Sequence, residues 1–103
     1  AKSVVCGGSE KHATCLIDFG HGRTAALNYG AEMPFTLDIQ RAAGEDSVYL
    51  PVNSAFFPTL LEKIVGFYAG SPVPVSEEQT IACMTLREAV LKAAKEPGRR
   101  IAV

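Results

Sequence analysis

The sequence predicts an α+β fold, in which an antiparallel β-sheet is covered on one face by two C-terminal helices. In the first half of the chain, apolar and polar residues alternate with a period of two, as in half-buried strands. In the second half, apolar residues recur with the helical period. Since the strands come first and the helices follow, we expect a sheet layer and a helix layer within a single domain, residues 1–103.

The first predicted hairpin covers residues 13–29. In its first strand, alternate residues point to the same face: Ala13, Cys15, Ile17 and Phe19. A turn with two glycines at 20–22 reverses the chain, because glycine accepts positive φ without steric cost. Residues 23–29 then form the return strand.

The second predicted hairpin joins residues 35–40, which alternate most regularly, to a strand at 48–52. Pro51 cannot donate a hydrogen bond to a neighbouring strand, so it indicates a sheet edge. Short turns between the strands favour an antiparallel meander. Residues 1–8 are a candidate for a further strand.

A first helix is predicted over residues 55–69, because its large apolar residues fall within about 140° when wound at 100° per residue. We expect this helix to pack flat on the sheet and to end at Gly70, the C′ residue. The stretch SPVPV that follows is typical of a stiff, extended link.

A second helix begins after Ser76, which forms a capping-box pattern with Gln79. One apolar stripe is expected to face the core: Ala82, Cys83, Leu86, Ala89, Val90, Ala93 and Ala94. A second stripe lies on the far side and comprises Ile81, Met84 and Leu91. This second stripe either contacts further protein or consists of isolated exposed residues, which are common on helices. The basic residues at 98–100 are expected to form a solvated tail.

Composition excludes several classes of function. The formal net charge of −1 over 103 residues offers no basic surface for nucleic acid or for an anionic membrane. No apolar run approaches the roughly 18 residues of a membrane span, and no leader pattern opens the chain. We therefore expect a cytoplasmic protein.

The three cysteines, Cys6, Cys15 and Cys83, show no C-x-x-C spacing. The pattern therefore indicates neither a zinc site nor a redox pair. Buried or half-buried free thiols in a reducing compartment are the preferred interpretation, and a Cys6–Cys15 bridge is the alternative.

No residues of the sequence form a catalytic, cofactor-binding or metal-binding pattern. His12 and His21 stand at no metal-ligand spacing, and His21 lies between two glycines of a turn. An acid–base pair of His21 with Asp18 would lie on the surface without a cleft. The segment CGGSEKH matches neither glycine-rich phosphate motif, and no G-x-S-x-G is present.

The order of motifs resembles the C-terminal domain of the glucose–fructose oxidoreductase / inositol dehydrogenase (Gfo/Idh/MocA) family. ATCLIDFGHGRTAALNYG resembles its strand–Gly turn–strand pair, and FTLDIQRAAGEDSVYL resembles the hairpin that follows. LLEKIVGFYAGSPVPVSEEQTIACMTLREAVLKAAKEPGRRIAV is similar to its closing helices and tail. The likeness covers about residues 12 to 103. It departs at residues 44–47, where the second glycine of the family's turn is absent.

The resemblance implies a part of a larger NAD- or NADP-dependent oxidoreductase acting on a sugar, polyol or related hydroxy compound. In the family, a dinucleotide-binding domain with G-x-G-x-x-G comes first, and a catalytic Lys in an E-K-P motif and a His follow it. None of these motifs occurs in this chain. No catalytic or cofactor-binding residue is therefore assigned, and the isolated chain is expected to be inactive.

The resemblance also implies that this sheet contributes to the substrate pocket and to oligomerisation. We predict a homodimer through the open sheet face, formed by Thr14, Leu16, Asp18, Thr36, Asp38 and Gln40. The stripe of Ile81, Met84 and Leu91 is the competing contact. The alternative function is a free-standing α+β binding or dimerisation module without enzymatic activity.

Overall fold

The computed structural model describes residues 1–32, 36–39, 48–51 and 56–103, with only the backbone described at 37–39. Its elements, in chain order, are β1 (Ser3–Gly8), β2 (Ala13–Gly20), β3 (Arg23–Tyr29), β4 (Thr36–Ile39), β5 (Val48–Pro51), α1 (Phe56–Tyr68), α2 (Glu77–Lys95) and β6 (Arg100–Ala102). They form two compact units, one of Ala1–Met33 with Val75–Val103 and the other of Pro34–Pro74. The predicted α+β class with antiparallel strands is confirmed.

The first unit contains a four-stranded antiparallel sheet in the order β3-β2-β1-β6. The candidate strand at residues 1–8 is therefore present, and it lies between β2 and β6. Residues 98–100 are exposed, as expected of a solvated tail, but Arg100 begins β6. Ile101 of this strand is buried opposite the buried Val4, so burial of an apolar pair draws the tail into the sheet.

The second unit contains β4 and β5, which pair with each other in a two-stranded sheet of their own. A single meander would instead have joined β3 to β4. Alternation along a strand specifies which face a side chain occupies, but it does not specify the neighbouring strand. The predicted strands are thus present in the described parts of both hairpins, although they belong to two sheets.

The core of the first unit lies between the sheet and the C-terminal half of α2. Its buried side chains are Val4, Cys6, Ala13, Cys15, Ile17, Ala89, Val90, Ala93 and Ile101, and Phe19 packs against them half-buried. The predicted inward face of β2 is confirmed. Two of the three core residues on α2, Ala89 and Ala93, are small and let the helix approach the sheet closely. The N-terminal half of α2 has no buried residue, so the expectation that Ala82 and Cys83 face the core is wrong.

The start of α2 follows the predicted capping box. The backbone N–H of Gln79 donates to Ser76 Oγ over 3.2 Å, and the backbone N–H of Ser76 donates to Gln79 Oε1 over 3.0 Å. Hydrogen bonding to its own backbone N–H, and then to Ser76, lowers the pKa of Glu78. Glu77 and Glu78 occupy the first turn and Lys92 and Lys95 the last, as the helix dipole favours.

In the second unit, α1 ends where the sequence predicts. Gly70 adopts φ 99°, its N–H donates to the carbonyl of Phe67, and the N–H of Ser71 donates to the carbonyl of Gly66. This pair of bonds is the Schellman arrangement, which favours glycine at C′. No residue of α1 is buried. The packing of α1 on a sheet stays a prediction.

Candidate functional site

The predicted sheet-face interface divides between the two units. Thr14 and Leu16 are exposed on β2 and Asp18 is half-buried there, so these three side chains share one face, as predicted. Thr36 is exposed and lies with Asp38 on β4, in the other sheet. Gln40 lies outside the described residues. The interface itself stays a prediction, and only its β2 part forms one surface in the four-stranded sheet.

Two polar residues of this face already have partners within the chain. Thr14 Oγ1 donates to Asn28 Oδ1 over 2.7 Å, which ties β2 to β3. Asp18 Oδ1 accepts the backbone N–H of Gly20 over 2.7 Å, next to the turn in which His21 adopts φ 55°. The Asp18 carboxylate thus stabilises the turn. This role explains Asp18 without an acid–base function.

A shallow pocket of about 310 Å³ lies at one end of the first unit's sheet. It is lined by Gly7, Gly8, His12, Ala13, Thr14, Asn28 and Tyr29. The hydroxyl of Tyr29 is buried and has no hydrogen-bond partner among the described residues. Because that oxygen is closed off from solvent, the pocket does not present it to a ligand. His12 has no acidic partner among the residues that line this pocket.

The described residues contain no group of three or more His, Cys, Asp and Glu side chains that could hold a metal ion. Among the same residues, no helix is long and apolar enough to cross a membrane.

Large apolar side chains are exposed on both helices. On α2 the predicted outer stripe is confirmed, since Ile81, Met84 and Leu91 are 57%, 53% and 42% exposed. On α1 the exposed residues are Phe56, Phe57, Leu60, Leu61, Ile64, Val65, Phe67 and Tyr68. Clusters of exposed apolar side chains mark contact sites more often than isolated exposed residues do.

The preferred interpretation of the cysteines is wrong for two of the three. Cys6 and Cys15 form a disulfide, and both are buried in the core. The reason is the strand register, because β1 and β2 pair with these two residues directly opposite each other. Cys83 is free, as expected, but it is exposed rather than buried or half-buried. Disulfides are typical of oxidising compartments, and the cytoplasmic location stays a prediction.

Comparisons of the chain with protein-family models, with curated proteins and with solved structures found no match. The resemblance to the Gfo/Idh/MocA C-terminal domain therefore depends on the order and spacing of the motifs quoted above.

The sequence reasoning missed the charged residues that continue the outer stripe of α2. It grouped apolar residues alone, whereas Glu77, Glu88 and Lys95 are exposed on the same side of the helix as Ile81 and Leu91. Counting every residue at steps of three and four along the helix would have found them.

Proposed function

We propose that the chain is the C-terminal substrate and oligomerisation part of an NAD- or NADP-dependent oxidoreductase that acts on a sugar, polyol or related hydroxy compound. In the whole enzyme, hydride passes between the nicotinamide and a hydroxyl-bearing carbon of the substrate. The dinucleotide-binding and catalytic groups belong to the part of the enzyme outside this chain. The role of this chain is to complete the pocket and to hold the subunits together.

The observation that supports this proposal is the exposed apolar surface of both helices. A small domain that works alone keeps such patches small, because they favour association. Here large apolar residues follow one side of α2, and every large apolar residue of α1 is exposed. Such a surface suits a chain that packs against other protein. The order of sequence motifs described above is the basis for proposing an oxidoreductase.

The second candidate is a free-standing binding or dimerisation module. It is favoured by the construction of the first unit, in which β1 and β6 pair with each other and the core is filled by α2. The hydrophobic core of such a unit is formed by its own residues and needs no additional domain. The exposed apolar surface would then serve self-association alone.

The coding sequence upstream of Ala1 distinguishes the two. We expect it to encode a strand followed by G-x-G-x-x-G and, later, E-K-P. An initiation codon directly before this segment would contradict the enzyme proposal and support the module.

A calorimetric titration tests whether cofactor binding belongs to another part of the enzyme. We expect no heat of specific binding when the 103-residue chain is titrated with NAD or NADP, because it has no glycine-rich turn at a helix N-terminus to hold pyrophosphate. A dissociation constant of about 1 μM or below for either nucleotide would overturn the assignment of cofactor binding to another part of the enzyme.

A further inference from the structure

Along the exposed side of α2, six residues follow a strict heptad spacing, with alternating steps of four and three. We call this row the α2 seam, and it comprises Glu77, Ile81, Met84, Glu88, Leu91 and Lys95. At 100° per residue they fall within an arc of about 80°. All six are exposed, and the buried residues of α2 lie on the opposite side of the helix.

The order of residues along the seam is self-complementary. A second α2, laid antiparallel about a two-fold axis at the level of residue 86, brings Ile81 beside Leu91 of the partner subunit. The same operation brings Glu77 beside Lys95 of the partner subunit, and each contact occurs twice. Each end of the seam thus pairs opposite charges, and the Ile81–Leu91 layer next to each end is apolar.

Neighbouring charges favour the same arrangement. Glu78 in the first turn comes beside Lys92 of the partner subunit, and antiparallel helices oppose their dipoles favourably. The two central layers pair Met84 with Glu88 of the partner subunit. The charge of Glu88 disfavours this layer. Arg87, next to Glu88 in the chain, supplies an opposite charge at the edge of the contact. A parallel pairing would instead place Glu77 against Glu77 and Lys95 against Lys95.

We propose that the α2 seam is a homodimer interface, in which a second copy of this chain packs antiparallel against α2. Two sheets would then lie outside a central pair of helices, with the open face of each four-stranded sheet left free. The inference deepens the oligomerisation part of the proposed function and rests on that part. It replaces the open sheet face as the primary dimer contact.

Sedimentation equilibrium of the 103-residue chain tests the proposal. We expect a dimer at high micromolar concentration. Ile81→Lys and Leu91→Lys each place a charge in an apolar layer twice per dimer, and we expect each to raise the dissociation constant about tenfold or more. Ala82→Lys is the matched control, because Ala82 is exposed on the same helix but lies off the seam, and this variant should stay dimeric.

A charge exchange tests the antiparallel order. Glu77→Lys alone and Lys95→Glu alone should each weaken the dimer several-fold, because like charges then meet at both ends. The double variant Glu77→Lys/Lys95→Glu should restore the wild-type dissociation constant to within about threefold. Failure of the double variant to restore dimerisation would overturn the antiparallel arrangement.

Leu16→Lys distinguishes the sheet face from the α2 seam as the dimer interface. If this variant is monomeric while Ile81→Lys stays dimeric, the sheet face is the interface and the seam proposal is overturned, although oligomerisation stands. If the wild-type chain is itself monomeric at high micromolar concentration, both the seam and the oligomerisation function are overturned.

Discussion

At the scale of single residues, Ser76 determines where α2 begins. Its hydroxyl accepts the N–H of Gln79, and the side chain of Gln79 accepts the N–H of Ser76 in return. These bonds satisfy two donors that a helix start otherwise leaves unpaired. Since the first turn of α2 has no buried residue, local hydrogen bonds are the main stabilising contribution there.

Replacement of Ser76 by Ala should therefore lower the free energy of unfolding by about 1 kcal/mol, because the acceptor for the N–H of Gln79 is lost. Urea unfolding followed by circular dichroism measures the change. Ser76→Asp is the matched control, since aspartate is as good an N-cap and should leave stability within about 0.5 kcal/mol of wild type. Equal unfolding midpoints for the Ala and Asp variants would contradict the capping role.

At the scale of secondary-structure elements, the pairing of β1 with β2 places two cysteines opposite each other in the core. The register aligns Cys6 with Cys15, and the buried side chains above and below them are apolar. The disulfide closes a short loop, with a sequence separation of 9. It thus fixes this hairpin in both the folded and the unfolded chain.

Removal of the disulfide should lower the free energy of unfolding by about 2–3 kcal/mol, on the chain-entropy estimate for a loop of this length. The variant is Cys6→Ala/Cys15→Ala, and Cys83→Ser, at an exposed position, is the control that should change little. Thermal unfolding without reductant compares them.

Thiol titration of the denatured wild-type chain gives an independent check of the same disulfide. It should find one reactive thiol, that of Cys83, before reduction and three afterwards. Three thiols before reduction would contradict the disulfide.

At the scale of the whole molecule, the first unit depends on strands from distant parts of the chain. β1 lies between β2 and β6, and Arg100 Nη1 of β6 donates to Ser3 Oγ of β1 over 2.8 Å. Ile101 adds a buried side chain to the core between sheet and helix. A short strand at residues 100–102 therefore completes a sheet built mainly from residues 3–29.

Ile101→Ala should lower the free energy of unfolding by about 2–4 kcal/mol, because it removes buried methyl groups and leaves a cavity beside Val4. Urea unfolding measures the loss. Ala102→Ser, at the exposed neighbouring position, should leave the midpoint unchanged. A similar, small effect of both variants would show that β6 contributes little to the fold.

The sequence predicted local features well, because local rules determine them. The inward face of β2, the capping box at Ser76 and the stop at Gly70 each follow from residues within a few positions. The hairpin pairings of β2 with β3 and of β4 with β5 were also predicted, but the pairing of β1 with β6 was not. Pairing of β1 with β6 depends on burial between residues at opposite ends of the chain, whereas the disulfide of Cys6 with Cys15 depends on the register of β1 with β2.

The same limit applies to the candidate site. The exposed apolar stripe of α2 was predictable because helical period alone separates its two sides. The division of the sheet-face residues was not, because Thr36 and Asp38 belong to a strand whose only partner in the described chain is β5. The alternation of apolar and polar residues is the same in strands of both sheets, so it does not show which sheet a strand joins.

The position of β1 also has a consequence for synthesis of the protein. The residues that join β1 to β6 stand 97 positions apart, so one edge of β1 has no strand beside it while the intervening chain is made. At 5–20 residues per second on the ribosome, that interval lasts roughly 5 to 20 s. An unpaired strand edge is a template for unwanted pairing with other nascent chains. The Cys6–Cys15 disulfide can form long before β6 emerges, and in an oxidising compartment it would hold β1 against β2 during this vulnerable period.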